Sequence, residues 1–293
     1  MNKNNKVLLV DGMALLFRAY YATAHSGYFR KTSSGLPTNA VYGFVQYFFN
    51  AVTTFQPTHV ICCWDMGAKT FRNEQYSNYK QNRPTAPEEL VPQFDLVKEV
   101  VAAMGVPNVG LVGYEADDCI GTLAHQLQAE AEVVILTGDH DMLQLINEQI
   151  QVAIMNKGRG NYTVYDLATL LDLKQVTPDQ VVDLKAFTGD TADNYPGVKG
   201  IGEKTALKLL LEYETVEGCL ANLDKLAKGV RTKIEANLDM LHLSRDLARI
   251  RLDVPIKCAL HHCIWELQED TAVQTFEKLE FGGLVKLLGQ NVS

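Results

Sequence analysis

The chain has 293 residues, of which 47% are hydrophobic, enough to bury the core of one large domain with an appendage. Its apolar runs are far shorter than the ~20 residues that span a bilayer, and the N-terminus lacks the pattern of a signal peptide. We therefore expect a cytoplasmic protein without membrane segments. Six cysteines with no CxxC pair predict reduced thiols rather than a disulfide framework.

The net charge is −8, from 27 basic and 35 acidic residues, which at face value argues against binding a polyanion. The distribution of the acids changes that expectation. Without the nine acids that are assigned below to a metal cluster, the balance becomes +1. Two bound divalent cations would add further positive charge, so a surface that faces DNA is compatible with this acidic composition.

The N-terminal half alternates strand and helix signals, which predicts an α/β fold with a mostly parallel central sheet. The predicted strands are Lys6–Asp11, His59–Asp65 and Glu132–Asp139, and each ends on an aspartate. Amphipathic helices are predicted at Thr38–Phe55 and Pro87–Met104. Ligands of open α/β sheets bind beyond the carboxyl ends of the strands, so the three aspartates are expected at one edge.

Further acids accompany the strand-end aspartates. Asp141 follows Asp139 closely, and Glu115, Asp117 and Asp118 begin a predicted helix on which Glu115 and Asp118 share a face. Acids in a first helical turn can simply complement the helix dipole, and for an isolated motif that explanation would be preferred. Together with Asp190 and Asp193, however, so many convergent acids would repel one another without cations. Oxygen ligands favour Mg²⁺ or Mn²⁺, and two such ions are typical of phosphodiester hydrolysis.

Two segments differ from this α/β pattern. Residues 66–87 are polar and aromatic without an apolar stripe, and they are interpreted as an insertion over the sheet edge. After residue 172 the pattern is helical, with a glycine-rich turn at residues 197–202. We therefore predict a catalytic domain at residues 1–172 and a helical region at 173–293.

Two alternative sites were weighed in the helical region. The glycine-rich turn lacks the Gly-Lys pair and the preceding strand of a nucleotide-binding loop, so that function is not expected. The turn could instead be an ordinary connection between two helices. The segment Cys258-Ala-Leu-His-His-Cys263 clusters zinc-type ligands, but no second pair at finger-like spacing lies nearby. We interpret that segment as packing cysteines with surface histidines.

Several motifs, in this order and spacing, resemble the 5′-3′ exonuclease and flap endonuclease family, which includes the N-terminal 5′ nuclease domain of bacterial DNA polymerase I. The resemblance covers nearly the whole chain. The motifs are Val-Asp11-Gly-Met-Ala-Leu-Leu-Phe-Arg18-Ala, Trp-Asp65, Tyr-Ser-Asn-Tyr79-Lys80-Gln-Asn-Arg83-Pro, Tyr-Glu115-Ala-Asp117-Asp118, Thr-Gly-Asp139-His-Asp141 and Gly-Asp190-Thr-Ala-Asp193-Asn-Tyr-Pro-Gly. Relatives commonly carry other residues at Ala192, Tyr195 and His140, but none of these departures removes a carboxylate.

The resemblance implies two metal sites and a DNA-binding module. It assigns Asp11, Asp65, Glu115 and Asp117, with Asp118 beside them, to the first site, and Asp139, Asp141, Asp190 and Asp193 to the second. It further implies a helical arch at about 66–87, where Lys80 and Arg83 contact the scissile phosphate and Tyr79 stacks on a displaced base, and it puts Arg18 near the active site. A helix-hairpin-helix module at about 177–212 would bind duplex DNA through Lys199, Gly200, Gly202, Lys204 and Lys208, with a K⁺ ion possible at its turn.

The activity that the resemblance implies is Mg²⁺-dependent cleavage, with Mn²⁺ as a substitute, at 5′ flaps and ends of DNA and at RNA-DNA primer junctions. A free-standing monomer acting in replication and repair at the nucleoid is expected. Two alternative functions are less consistent with the sequence. A catalytically dead DNA-binding relative would have lost carboxylates, and a metal-dependent phosphatase for small substrates would not explain the arch or the hairpin.

Overall fold

The computed structural model describes residues 5–24, 29–67 and 69–290. Its centre is a six-stranded sheet with the order β3-β2-β1-β4-β5-β6, in which β6 alone is antiparallel to its neighbour. The strands are β1 (Lys6–Asp11), β2 (His59–Cys63), β3 (Asn108–Val109), β4 (Glu132–Thr137), β5 (Ile150–Met155) and β6 (Tyr162–Tyr165). The predicted α/β class and mostly parallel sheet are confirmed.

Helices cover both faces of the sheet and continue to the end of the described chain. They are α1 (Gly12–Ala24), α2 (Asn39–Phe55), α3 (Phe71–Gln75), α4 (Gln93–Ala103), α5 (Ala116–Leu127), α6 (Leu167–Lys174), α7 (Pro178–Thr188), α8 (Glu203–Tyr213), α9 (Val216–Ala221), α10 (Lys228–Glu235), α11 (Leu238–Ala248), α12 (Glu269–Lys278) and α13 (Gly282–Gln290). No helix among these residues has the length and apolar character that crossing a membrane requires.

The buried strands separate two cores. Along β1, Leu8 and Val10 face a core that includes residues of α1, α2 and α4, whereas Val7 and Leu9 face a core that includes α5. This alternation follows from the period of two along a strand. Because both faces are covered by helices, the strands are apolar between their ends and only their carboxyl ends carry polar side chains.

The helices α7 to α11 build a further core around Phe187 and Leu210. The end of the chain returns to the first core, where Phe276 and Phe281 are fully buried. The predicted division into residues 1–172 and 173–293 stays a prediction, but apolar residues between 265 and 288 pack with the N-terminal part.

The insertion at 66–87 contains only one short helix, α3, among its described residues, and turns make up the rest. It is held in place by a buried arginine: Arg72 donates to the carbonyl of Leu247 at 2.9 Å and to that of Arg249 at 2.9 Å. The insertion therefore bridges the end of α11 and the sheet edge.

Candidate active site

Three neighbouring strands bring aspartates to one edge of the sheet. Asp11 is the last residue of β1, while Asp65 and Asp139 each lie two residues beyond the ends of β2 and β4. Asp11 is held by the Ala14 amide at 2.9 Å and by the Thr137 hydroxyl at 2.7 Å, both of which donate to its carboxylate. The predicted convergence at the carboxyl ends is thus observed.

The first turn of α5 directs its three acids differently. Glu115 precedes the helix as its N-cap, and its carboxylate faces the arch, where Lys80 Nζ lies 2.8 Å away. Asp117 lines the same cleft as Asp11. Asp118 is fully buried and forms a two-pronged ion pair with Arg72, at 2.7 and 2.8 Å. The structure therefore does not bring Asp118 to the cleft, because the buried arginine takes both of its oxygens.

The loop after α7 supplies the last two acids. Its ends meet at Gly189 and Gly197, where a Cβ on Gly189 would lie 2.4 Å from the Pro196 backbone and one on Gly197 would lie 2.2 Å from the Gly189 amide. Both glycines also have positive φ angles, so side chains are excluded there on two grounds. This tight closure fixes Asp190 and Asp193 at the rim of the cleft.

These elements enclose a cleft of about 470 Å³. Asp141 is not one of its lining residues, but it is bound to one of them, because Lys185 Nζ lies 2.6 Å from its carboxylate. The acids and bases that line the cleft are Asp11, Asp65, Lys80, Arg83, Glu115, Asp117, Asp139, His140, Lys185, Asp190 and Asp193.

Three cationic side chains stand between the acids. Lys80, whose φ of 56° lies in the left-handed region, pairs with Glu115, and Arg83 pairs with Asp193 at 2.6 Å. A strained backbone of this kind is typical of functional sites. Lys185 bridges Asp141 and Asp190. Lys185 was not among the predicted site residues, because a lysine in the last turn of a helix carries no signal of the acids that fold beside it.

Burial and mutual repulsion raise the pKa values of three acids whose charges are not fully compensated by cationic side chains. Burial raises the pKa of Asp11 to about 6, with further contributions from Asp65 and Asp139. The pKa of Asp117 is raised well above its ordinary value by burial and by Asp139 and Asp11. Asp141 has a pKa of about 7, raised by burial and by Asp139 against the opposing charge of Lys185. The cleft thus carries more negative charge than its own cations neutralise.

The pKa of Asp190 moves the other way. Burial raises it, but the hydrogen bond and the charge of Lys185 outweigh that effect, so its pKa is lowered. Burial lowers the pKa of Lys80, but the charges of Glu115 and Asp193 reverse this, so the pKa is raised and the side chain stays protonated. Lysines therefore act as fixed counter-charges on one side of the cleft. Within the described residues, no cationic side chain forms an ion pair with Asp11 or Asp117.

The donor set of the cleft fits divalent cations. It consists of carboxylates whose raised pKa values report uncompensated negative charge, and oxygen donors suit Mg²⁺ or Mn²⁺. In the described parts of the chain, no three of these acids form a ready-made coordination shell. The ion pairs of Lys80, Arg83 and Lys185 account for part of this, because they occupy oxygens of Glu115, Asp193, Asp141 and Asp190.

Comparisons with known proteins show the family to which the chain belongs. Residues 6–176 match the family model described as "5′-3′ exonuclease, N-terminal resolvase-like domain", and residues 176–271 match "5′-3′ exonuclease, C-terminal SAM fold". The chain belongs to the 5′-3′ exonuclease family. A protein of Bacillus subtilis named 5′-3′ exonuclease is 51% identical over 97% of this chain and 96% of its own length.

Other relatives of this 5′-3′ exonuclease chain are longer. The DNA polymerase I of Chloroflexus aurantiacus is 40% identical over 94% of the chain, but the match covers 30% of the polymerase. Among solved structures, the T5 D15 protein co-crystallised with metal ions has a TM-score of 0.69 at 22% identity, covering 83% of this chain and 89% of its own. The catalytic core of Rad2 in complex with DNA substrate has a TM-score of 0.62 at 13% identity, covering 94% and 87%. These two structures share the fold.

Two predicted residues of this exonuclease-family chain lie elsewhere than expected. Tyr79 is only 2% exposed, and its hydroxyl donates toward Asp193 at 2.9 Å and Glu115 at 3.1 Å. In this arrangement its ring cannot stack on a base, because it is buried against Tyr195 instead. Arg18 does not line the cleft, and its charge acts on Tyr162, where it opposes the raised pKa of the phenol. The motif pattern could not distinguish these roles, since both residues sit beside true cleft residues in sequence.

The residues that departed from the family pattern have distinct environments. Tyr195 is buried, and its hydroxyl lacks a hydrogen-bond partner within the described structure. His140 lines the cleft, and its pKa is lowered by burial and by the charge of Lys174. Ala192 lies at the cleft rim, where its amide donates to Asp190 at 2.7 Å.

The glycine-rich turn forms a compact hairpin between α7 and α8. Val198 and Ile201 anchor it in the core of the helical region, and the Ile201 amide donates to the Val198 carbonyl at 3.0 Å. The DNA-binding residues predicted for this module are exposed on the hairpin or on α8: Lys199, Gly200, Gly202, Lys204 and Lys208. Cys263, by contrast, is buried in the second core, and Cys258 lies at the margin of that core.

Proposed function

We propose that this member of the 5′-3′ exonuclease family is a structure-specific nuclease that cleaves at 5′ flaps and 5′ ends of DNA with two divalent cations. The observation that carries the proposal is the convergence of acids from three strand ends, α5 and the loop after α7 on a single cleft rimmed by Lys80 and Arg83. A cleft with this composition can hold cations at its floor and a phosphate at its rim.

The acids that line the cleft, together with Asp141 directly behind it, divide into two groups that would hold the cations. Asp11, Asp65, Glu115 and Asp117 form one group, and Asp139, Asp141, Asp190 and Asp193 form the other. Mg²⁺ at such sites supplies an activated water and stabilises the leaving oxygen of a phosphodiester. Asp118 is left out of both groups, because its carboxylate is committed to Arg72.

The side chains at the rim would act on the substrate. Lys80 and Arg83 carry fixed positive charge, with exposed fractions of 22% and 51%, so a phosphate could exchange for the acids that they now contact. That exchange would leave Glu115 and Asp193 free to bind a cation. Substrate and metal would thereby assist each other, since each takes a partner of these ion pairs.

The hairpin would grip the duplex part of the substrate. The amides and lysines of a hairpin at a helix start suit contacts with phosphates independent of sequence. Cleavage would leave 5′-phosphate and 3′-hydroxyl ends, and RNA primers on DNA are included in the proposed substrates. We further propose a monomer that acts in the cytoplasm at the nucleoid, with Mn²⁺ able to replace Mg²⁺.

A labelled duplex with a 5′ single-stranded flap tests this proposal when it is incubated with the protein in Mg²⁺ and in EDTA. We expect cleavage near the junction in Mg²⁺ only. Binding without cleavage in either condition would favour a non-catalytic junction-binding relative. Hydrolysis of p-nitrophenyl phosphate without flap cleavage would favour a phosphatase instead.

A further inference from the structure

Lys233 on α10 places its ammonium group on the hairpin. Its Nζ donates to the Gly200 carbonyl at 2.8 Å, and this carbonyl lies at the tip of the turn that Val198 and Ile201 anchor. The Lys233 side chain follows the turn closely, because a Cβ on Gly200 would lie between 3.1 and 3.4 Å from its last three heavy atoms. The contact joins residues that are 33 positions apart in the sequence.

The position of Lys233 is set by its helix rather than by chance extension of a surface side chain. Ile234, the next residue on α10, is fully buried in the same core as Val198 and Ile201. Helix α10 and the hairpin are thus packed on one apolar cluster. The Lys233 backbone cannot move away from the turn without exposing Ile234, so the lysine stays within reach of the Gly200 carbonyl.

The Gly200 carbonyl would be the natural ligand of a monovalent cation at such a turn. Backbone carbonyls bind K⁺ by replacing its hydration shell, and a lysine ammonium offers a compact charge with three donors to the same oxygens. A K⁺ ion at this carbonyl would have to displace the Lys233 ammonium or lie beside it, where the two positive charges repel each other. The K⁺ ion expected from the resemblance therefore does not fit beside the lysine.

We propose that Lys233 serves as the internal cation of the hairpin, so that DNA binding by this hairpin does not require K⁺. The inference rests on the proposed function, because it takes the hairpin to be a DNA-binding element. Lys233 is a positioning residue in this account: it fixes the turn and adds positive charge where a phosphate would approach. Its exposed position leaves the ammonium able to contact solvent and phosphate at the same time.

The experiment measures DNA binding rather than cleavage. A fluorescent 5′-flap duplex is titrated with the full-length protein in EDTA, at one ionic strength set by KCl or by tetramethylammonium chloride, whose cation is too bulky for a carbonyl site. We expect wild-type dissociation constants in the two salts to agree within about twofold. Lys233→Met should bind at least about fivefold more weakly in tetramethylammonium than in K⁺, because the ion can then occupy the vacated carbonyl.

The matched control is Lys228→Met. Lys228 is exposed on the same helix, and its substitution removes the same charge. It should weaken binding equally in both salts, if at all. A wild-type protein that binds more tightly in K⁺ would overturn the inference without any variant. A Lys233→Met protein that responds to the two salts as Lys228→Met does would also overturn it. Failure of the wild-type protein to bind the flap duplex in either salt would instead refute the proposed function on which the inference rests.

Discussion

Single carboxylates determine how the cleft responds to pH and to metal. Asp11 has a pKa of about 6, raised by burial and by neighbouring acids, although the Ala14 amide and the Thr137 hydroxyl both stabilise its charge. Two hydrogen bonds therefore do not offset the burial and the repulsion. A bound cation would remove the penalty, since it favours the ionised form directly.

The first prediction concerns Asp11→Asn in metal-free protein. The folded state holds a proton on Asp11 up to about pH 6, whereas the unfolded chain releases it near pH 4, so ionisation lowers the free energy of unfolding as pH rises through this window. Asp11→Asn should remove this loss. Relative to the wild-type protein, the variant should gain on the order of 1–3 kcal/mol between pH 4 and pH 8, as measured by urea unfolding in EDTA.

The histidines do not disturb this comparison. The lowered pKa values of His59 and His140 act in the opposite direction over the same pH range, but equally in both proteins. They cancel in the difference between variant and wild type. A difference that stays constant from pH 4 to pH 8 would show that Asp11 is not perturbed as described.

The second prediction separates catalysis from DNA binding. Asp141→Ala should lower flap cleavage in Mg²⁺ by about a thousandfold or more, because it removes a proposed metal ligand, while binding of the flap duplex in EDTA stays within a few-fold of wild type. Asp172→Ala is the matched control, since Asp172 is an exposed acid on α6 away from the cleft. Undiminished cleavage by Asp141→Ala would contradict the two-metal assignment.

Among site residues, the motifs predicted nine acids at the cleft, and eight of them have carboxylates at or directly behind it, because strand ends and tight loops fix where such side chains point. They could not predict the fate of Asp118. Its partner Arg72 lies in the insertion, and only the fold shows that this arginine reaches α5. The same limit hid Lys185, whose acids come from other elements.

At the scale of elements, the contact of Arg72 with Asp118 joins the insertion to α5 beneath the cleft. Both side chains are nearly inaccessible, at 3% and 0% exposure, so removing one partner leaves a buried charge without compensation. The pair therefore holds the segment that carries Lys80 and Arg83 in place. It is a structural contact that the nuclease site depends on.

The third prediction tests this role. Asp118→Asn should lower the free energy of unfolding by about 3 kcal/mol or more, whether or not Mg²⁺ is present. Asp117→Asn, like Asp11→Asn, should not destabilise the metal-free protein at neutral pH, because burial and neighbouring acids raise the pKa of Asp117, and it should reduce the stabilisation that Mg²⁺ provides. Thermal unfolding with and without Mg²⁺ measures both effects. If Asp118→Asn kept full stability and lost only the response to Mg²⁺, Asp118 would be a metal ligand after all.

Which elements were predictable depends on how local their signals are. The strands β1, β2 and β4 were predicted because both of their faces are buried and their sequences are correspondingly apolar. Strand β3 has two residues, and β6 lies at the sheet edge, so neither carries a comparable run. The short α3 and the turns around it depend on Arg72 and other long-range contacts rather than on local pattern.

For the whole molecule, the chain end contributes to the N-terminal core. Phe276 of α12 and Phe281, which directly precedes α13, lie in the same core as Phe44 and Trp64. Residues beyond 271 lie outside both family-model matches, and their sequence gave no signal of this role. The reason is that a helix reveals its apolar face but not the distant surface that the face covers.

The fourth prediction is a truncation after Cys263. It removes the partly buried Trp265 and the buried Phe276 and Phe281 from the core, and each of the two buried rings contributes roughly 3 kcal/mol or more. We expect a protein that fails to unfold cooperatively and exposes hydrophobic surface, as followed by calorimetry and dye binding. A truncated protein that keeps the wild-type melting temperature would contradict the packing described.

Acidic and basic side chains are concentrated in different parts of the protein. The acids that make the chain acidic are concentrated at one cleft, while exposed lysines are gathered on the hairpin and α8. Without metal, the acidic cleft is the surface of the protein that most repels DNA. Cations bound in the cleft would make this surface attract phosphate. We therefore expect divalent metal to be required for cleavage but not for binding.

Flap cleavage and flap binding measured side by side over a Mg²⁺ titration test that claim most directly. We expect the duplex to be bound in EDTA and throughout the titration. Cleavage near the junction should be absent in EDTA, and its rate should rise steeply with Mg²⁺. Cleavage that proceeds at the same rate in EDTA as in Mg²⁺ would contradict it.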